Sequence, residues 1–120
     1  MTDLNAIKQY QAAKVYREII PEQRAPEIYE RDPGSLAEYR KIIRRGVDAA
    51  EATMHQAERA IERLPRPEWR GVLTLRFLWG FDEYETADNM GCSIRTVFRQ
   101  VQQAVEYLGT APRGRRPEGP

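Results

Sequence analysis

The stretch from Leu64 to Leu108 constrains the fold most, because it holds a short turn between two segments with helical patterns. Gly91 follows the segment that ends at Met90, and glycine readily takes the left-handed conformation just past a helix end. Ser93 suits the N-cap of the next helix, since its hydroxyl can accept a hydrogen bond from a free backbone amide. Asp82 suits the same role at the start of the preceding helix. Two helices joined by a short turn that contains glycine are typical of a helix-turn-helix.

The segment after this turn has an apolar face and a polar face. Apolar residues recur at helical spacing at Val97, Val101, Ala104, Val105 and Leu108. The opposite face carries residues that can donate hydrogen bonds to phosphates or base edges. We therefore predict a DNA-binding surface made of Ser93, Arg95, Thr96, Phe98, Arg99 and Gln102. Arg95 and Arg99 are the expected guanine or phosphate contacts, and Thr96 and Gln102 the secondary ones. Phe98 has two interpretations: contact with a thymine methyl group, or packing in the core or against a partner.

Residues 64–108 resemble the fourth conserved region of RNA polymerase sigma factors. The matching motifs are Leu64-Pro65, the run from Arg70 to Phe77, Gly80-Phe81-Asp82, Ala87, Met90-Gly91-Cys92-Ser93, Thr96-Val97, Ala104 and Leu108. The resemblance implies three helices that end in a helix-turn-helix. It also implies an apolar groove on the first helix pair, which in sigma factors holds a helix of the polymerase β-flap. Thr86 stands where this family usually has Ile or Val, and Phe98 where a polar or basic residue is usual.

No part of the chain resembles the sigma-factor region that binds the −10 element or melts DNA. We therefore expect a small sigma-like regulator rather than a complete sigma factor. Such regulators, of the ArpU and RinA kind, occur in phages and prophages. They pair a helix-turn-helix with a helical N-terminal part.

Residues 1–63 predict N-terminal helices, one of them long. A helix is expected from Leu4 to Ile20, and the proline-rich residues 21–34 read as a linker or an extended crossing. A capping box formed by Ser35 and Glu38 predicts the start of a long helix that runs to Arg63. Along it, residues at alternating steps of four and three form a heptad seam at Leu36, Arg40, Ile43, Val47, Ala50, Met54, Ala57, Ile61 and Leu64.

This seam has two interpretations. It either packs within the chain, which we favour, or it forms a coiled coil between two copies. The sequence therefore leaves a homo-oligomer open.

Composition excludes little. The chain has 19 basic and 18 acidic residues and a net charge of +1, so overall charge does not indicate nucleic-acid binding. A single cysteine forms no internal disulfide and fits a reducing cytoplasm.

We expect no signal peptide, no membrane span and no zinc site at the lone His55. No cofactor or catalytic motif is recognised, so an enzyme is not expected. Residues 109–120 predict a disordered basic tail, whose Arg113, Arg115 and Arg116 either follow phosphates or aid solubility.

These patterns predict an all-α protein in which N-terminal helices (residues 1–63) precede a trihelical helix-turn-helix domain (residues 64–108). The expected function is sequence-specific transcriptional regulation on double-stranded DNA. Two alternatives remain. One is a DNA-packaging subunit similar to small terminase subunits, which also join a helix-turn-helix to oligomerising helices. The other is a module that binds RNA polymerase.

Overall fold

The computed structural model describes residues 1–110, and all regular secondary structure in this part of the chain is helical, which confirms the predicted all-α class. The α-helices are α1 (Asp3–Lys8), α2 (Tyr10–Glu18), α3 (Glu27–Glu30), α4 (Pro33–Glu62), α5 (Pro67–Leu73), α6 (Glu83–Met90) and α7 (Ile94–Thr110). A 3-10 turn spans Ile20–Glu22 and a π-helical turn spans Thr74–Leu78. None of the described helices is both long and apolar enough to cross a membrane.

The N-terminal segment is two helices, so the prediction of one helix from Leu4 to Ile20 is wrong. Gln9 interrupts it with φ −96° and ψ 3°. The break separates a buried α1 from a more exposed α2. Ile7 is completely buried on α1, whereas Val15 and Ile19 are 46% and 50% exposed. Val15 and Ile19 therefore do not extend the core to which Ile7 belongs.

The long helix α4 begins at Pro33 because Asp32 caps it. The Asp32 carboxylate accepts hydrogen bonds from the backbone amides of Gly34 (2.9 Å) and Ser35 (3.1 Å), and the Ser35 hydroxyl donates to it (2.7 Å). These bonds, led by the one from the Ser35 side chain, hold the pKa of the Asp32 carboxyl below its usual value. The predicted capping box of Ser35 and Glu38 is therefore wrong. Proline at the first helical position fits this start, since it has no amide hydrogen to satisfy.

The segment before α4 is more structured than a linker. It contains the 3-10 turn and α3 within residues 21–34, where an extended crossing was expected. Tyr29 packs on Tyr39 of α4, with ring centroids 4.9 Å apart, whereas Ile28 is 66% exposed. Tyr29 therefore anchors this segment on α4, and Ile28 does not.

The heptad seam on α4 is covered over only half of its length. Ala50, Met54, Ala57 and Ile61 are buried, so here the intramolecular interpretation is confirmed. The covering elements include α1 and α2, which pack against α4. The approach is close at Gly46, where an added Cβ would collide with the ring of Tyr16 on α2.

The core joins both ends of the chain. Ala6 and Ile7 of α1 belong to the same buried cluster as Leu64, Leu73 and Val97. In the first helical segment of residues 64–108, the buried residues are Val72, Leu73 and Leu78, whereas Leu75 and Phe77 are half-buried. Leu78 belongs to the π-helical turn that continues α5. Residues 64–108 therefore share their core with α1.

Thr86 on α6 occupies a core position, and its side-chain hydroxyl has no hydrogen-bond partner among the described residues. Thr86→Val replaces that hydroxyl with a methyl group and should raise the free energy of unfolding by about 1 kcal/mol, because an unpaired buried polar group is unfavourable. Urea denaturation measures the change. As a control, Thr96→Val should not stabilise, since the Thr96 hydroxyl lies 3.0 Å from that of Ser93. A urea midpoint below that of the wild type for Thr86→Val would contradict the conclusion that the buried Thr86 hydroxyl is unpaired.

The C-terminus of α7 includes Gly109 and Thr110, which were expected to begin the tail. The Thr110 hydroxyl donates to the carbonyl oxygen of Glu106 (2.9 Å), as helical hydroxyls often do. The rest of the predicted tail, residues 111–120, lies outside the described part of the chain.

Candidate nucleic-acid interface

The helix before the turn is fixed by a capping box. The Asp82 carboxylate accepts from the Glu85 amide (2.8 Å), and the Glu85 carboxylate accepts from the Asp82 amide (2.9 Å). Each side chain thereby satisfies an amide that the first helical turn leaves free. The predicted cap at Asp82 is confirmed, and it sets where α6 begins.

The turn between α6 and α7 has the geometry that its sequence predicts. Gly91 is left-handed, with φ 66° and ψ 37°. The Cys92 amide donates back to the carbonyl oxygen of Ala87 (3.1 Å), which closes the end of α6. Ser93 then accepts from the Thr96 amide (3.1 Å), so its hydroxyl caps α7. The side chain of Cys92 is half-buried against the core, as expected of a small apolar residue here.

The predicted site residues lie together on one side of α7. Arg95, Phe98, Arg99 and Gln102 are exposed, and their spacing places them on adjacent turns of one helix face. Ser93 is also exposed, and Thr96 is half-buried. Val97 and Ala104 are fully buried on the other side, so α7 has the two faces that its pattern predicts.

Phe98 is 55% exposed. The second interpretation was packing in the core or against a partner, and its first part, packing in the core, is wrong within residues 1–110. A large apolar ring next to two arginines remains available to a thymine methyl group or to a protein partner.

The charge of this region is divided between the two helices. Arg95 and Arg99 form no ion pair with any described residue. Further along α7, the Gln102 amide donates to the Glu106 carboxylate (3.2 Å), so Gln102 is held by a neighbour that DNA would have to displace. On α6, Glu85 and Asp88 are exposed acidic residues. Basic character is thus confined to the N-terminal half of α7.

A second surface, which the residue patterns did not predict as a site, lies between α5 and the end of α7. Trp69 packs on Tyr107 with ring centroids 5.6 Å apart, and its indole N–H donates to Gln103 (3.3 Å). The Arg66 guanidinium lies 5.5 Å from the centre of the Trp69 ring. These residues line a shallow groove of about 460 Å³. The only signal for it in the sequence is the pair of aromatic residues, because the groove joins segments 34 positions apart.

The described residues contain no group of three or more His, Cys, Asp or Glu side chains placed to bind a metal ion. His55 lies 3.7 Å from the Glu58 carboxylate, a contact one helical turn away on α4. Comparison with protein-family models, with curated proteins and with solved structures finds no match to this chain. The resemblance to sigma region 4 therefore stays an expectation from the motifs within residues 64–108.

Proposed function

We propose that the protein is a sequence-specific DNA-binding transcriptional regulator in which α7 enters the major groove. The observation that carries the proposal is the left-handed turn at Gly91, which joins two capped helices and leaves Arg95 and Arg99 exposed near the start of the second one. In a helix-turn-helix, residues at the N-terminal end of the recognition helix contact the base edges. The resemblance to sigma region 4 agrees with this use of the fold.

The chemistry of the exposed face also supports the proposal. An arginine side chain can donate two hydrogen bonds to guanine, and glutamine can donate to and accept from adenine. Neither Arg95 nor Arg99 must give up an ion pair within the described residues before it binds a base or a phosphate. With so few basic residues on this face, phosphate neutralisation is small, and a single copy should bind weakly.

Arg99→Ala tests the proposal. We expect specific DNA binding to weaken by about 1–3 kcal/mol if Arg99 reads a base. If it contacts only phosphate, affinity should fall for all sequences and the salt dependence should decrease by about one unit of slope. Selection from genomic DNA fragments gives the target, and fluorescence anisotropy across a salt series measures both quantities.

Arg59→Ala is the matched control, because it removes an exposed arginine of α4 that lies outside the predicted interface. Its affinity should equal that of the wild type. If Arg99→Ala also leaves binding unchanged at every salt concentration, Arg99 is not part of the interface.

A second candidate function is binding to RNA polymerase, and one observation favours it. The aromatic groove at Trp69 and Tyr107 lies on α5 and α7, away from the Arg95 end of α7. Both rings are half-buried, and aromatic residues are enriched at protein interfaces. Sequence-specific binding by the purified protein, with no polymerase present, would favour DNA binding as the primary function. Capture of polymerase without affinity for DNA would favour the second candidate.

A further inference from the structure

The N-terminal half of α4 borders a groove that the described residues, 1–110, do not fill. Its volume is about 770 Å³. The wall on α4 combines apolar and charged side chains, and the 3-10 turn forms the facing wall with Ile20 and Pro21. The α4 residues that line it are Leu36, Tyr39, Arg40, Ile43, Arg44, Val47 and Glu51. We call this surface the α4 groove.

The α4 groove is the uncovered continuation of the heptad seam. In the C-terminal half of the seam, Met54 and Ala57 are 4% and 0% exposed. In the N-terminal half, Leu36, Ile43 and Val47 are only half-buried, and no residue of α4 before Ala50 is buried, although the helix is described throughout. Within residues 1–110, the seam is therefore covered over its C-terminal half and uncovered over its N-terminal half. Burial of these residues by a second molecule would extend the core along the helix.

The rim of the α4 groove is basic. Arg40 and Arg44 are exposed and form no ion pair with any described residue. Two acidic residues also line the groove: Glu30, which pairs with Arg24 (3.1 Å), and the exposed Glu51. With Arg17, three arginines line the groove, so basic side chains outnumber acidic ones there. An apolar floor with a basic rim fits an acidic element that carries an aromatic or aliphatic anchor.

The chain itself carries such an element on α6. Tyr84 is 69% exposed, and Glu85 and Asp88 are exposed beside it. We call these three residues the α6 face. In its own chain α6 packs against α5 and α7, whereas the α4 groove lies between α4 and the 3-10 turn. The two complementary surfaces therefore occupy different parts of the molecule.

Charge also argues against pairing between two identical grooves. Such a symmetric contact would bring Arg40 and Arg44 of both chains together, and like charges across an interface are unfavourable. A contact between the α4 groove and the α6 face joins opposite charges instead. It also places a tyrosine, a residue enriched at interfaces, on an apolar floor.

We propose that the α4 groove of one molecule binds the α6 face of a second copy. This contact is head-to-tail. A molecule bound through its α4 groove still has a free α6 face, and a molecule bound through its α6 face still has a free α4 groove. Such contacts continue into a closed ring or an open chain rather than stopping at a dimer.

A complementation experiment tests the proposal with the full chain. A groove variant, Arg40→Glu/Arg44→Glu, retains the α6 face, and a face variant, Tyr84→Ala/Asp88→Lys, retains the groove. All four residues are exposed, and circular dichroism checks that both variants keep wild-type helicity. Sedimentation velocity over a concentration series measures the mass of each protein alone and of an equimolar mixture.

The wild type should form species larger than a dimer, and its association should weaken at high salt. Each variant alone should be monomeric, with self-association weakened at least tenfold. The mixture should form a one-to-one dimer and nothing larger, because it contains one intact groove and one intact face. Arg59→Glu, a charge reversal elsewhere on α4, should associate like the wild type.

Three results would overturn the proposal. The first is a wild type that stays monomeric at all concentrations, which would leave the groove to an acidic partner other than this chain. The second is a face variant that associates as strongly as the wild type. Association would then not need the α6 face, and the grooves of two copies would pair with each other. The third is a mixture of folded variants that forms no dimer. None of these readouts uses DNA, so they are independent of the proposed function.

Discussion

Replacing Ile7 with alanine should lower the free energy of unfolding by about 2–5 kcal/mol, the range for truncating a large buried aliphatic side chain. Ile7 is 0% exposed, and it joins a core that includes Leu73 and Val97 of the helix-turn-helix region. The loss should therefore affect α5 and α7 as well as α1. Urea denaturation followed by circular dichroism measures it.

Val15→Ala is the control for this truncation. Val15 lies on α2 and is 46% exposed. Its replacement should change the free energy of unfolding by no more than about 0.5 kcal/mol. If Ile7→Ala is equally mild, α1 does not contribute to the core of the helix-turn-helix, and residues 64–108 fold without it.

The turn between α6 and α7 could be predicted because its determinants are local. Gly91, Asp82 and Ser93 act through their own backbone conformation or through amides three residues away. Such effects are readable from a few neighbouring positions. The exposed face of α7 followed from the same argument, since periodicity alone separates Val97 from Arg99.

The start of α4 shows where local signals compete. Ser35 and Glu38 satisfy the pattern of a capping box, yet Asp32 followed by Pro33 begins the helix one turn earlier. Both patterns are favourable, and the sequence does not rank them. The earlier start gains a full turn of helical hydrogen bonds. The Ser35 hydroxyl then donates a hydrogen bond to the Asp32 carboxylate and does not cap the helix itself.

Long-range packing was not predictable from periodicity. The break at Gln9 and the collision that excludes a side chain at Gly46 both depend on where α2 lies against α4. Periodicity shows that α4 has an apolar face, but the partner of each half depends on the whole fold. The α4 groove and the groove at Trp69 are surfaces of this kind.

Gly91→Val should lower the free energy of unfolding by about 2–3 kcal/mol, because a β-branched residue is strained in the left-handed region. Gly91 has φ 66° and ψ 37°, and an added Cβ would meet no atom within 4 Å. The expected loss is therefore a backbone effect, with no contribution from steric collision. Gly91→Asn should lower the free energy of unfolding by less than Gly91→Val does, since asparagine tolerates the left-handed conformation better than valine. Thermal melting of both variants measures the difference.

Gly109→Val is the matched control. Gly109 lies within α7, also has no atom within 4 Å of an added Cβ, and does not have a positive φ. Valine favours a helix somewhat more than glycine does, so this variant should melt at or slightly above the wild-type temperature. Together the two valine substitutions separate backbone strain from the addition of a side chain. A Gly91→Val protein that melts with the wild type would mean that the α6–α7 turn does not require a left-handed residue. The observation that carries the proposed recognition helix would then be lost.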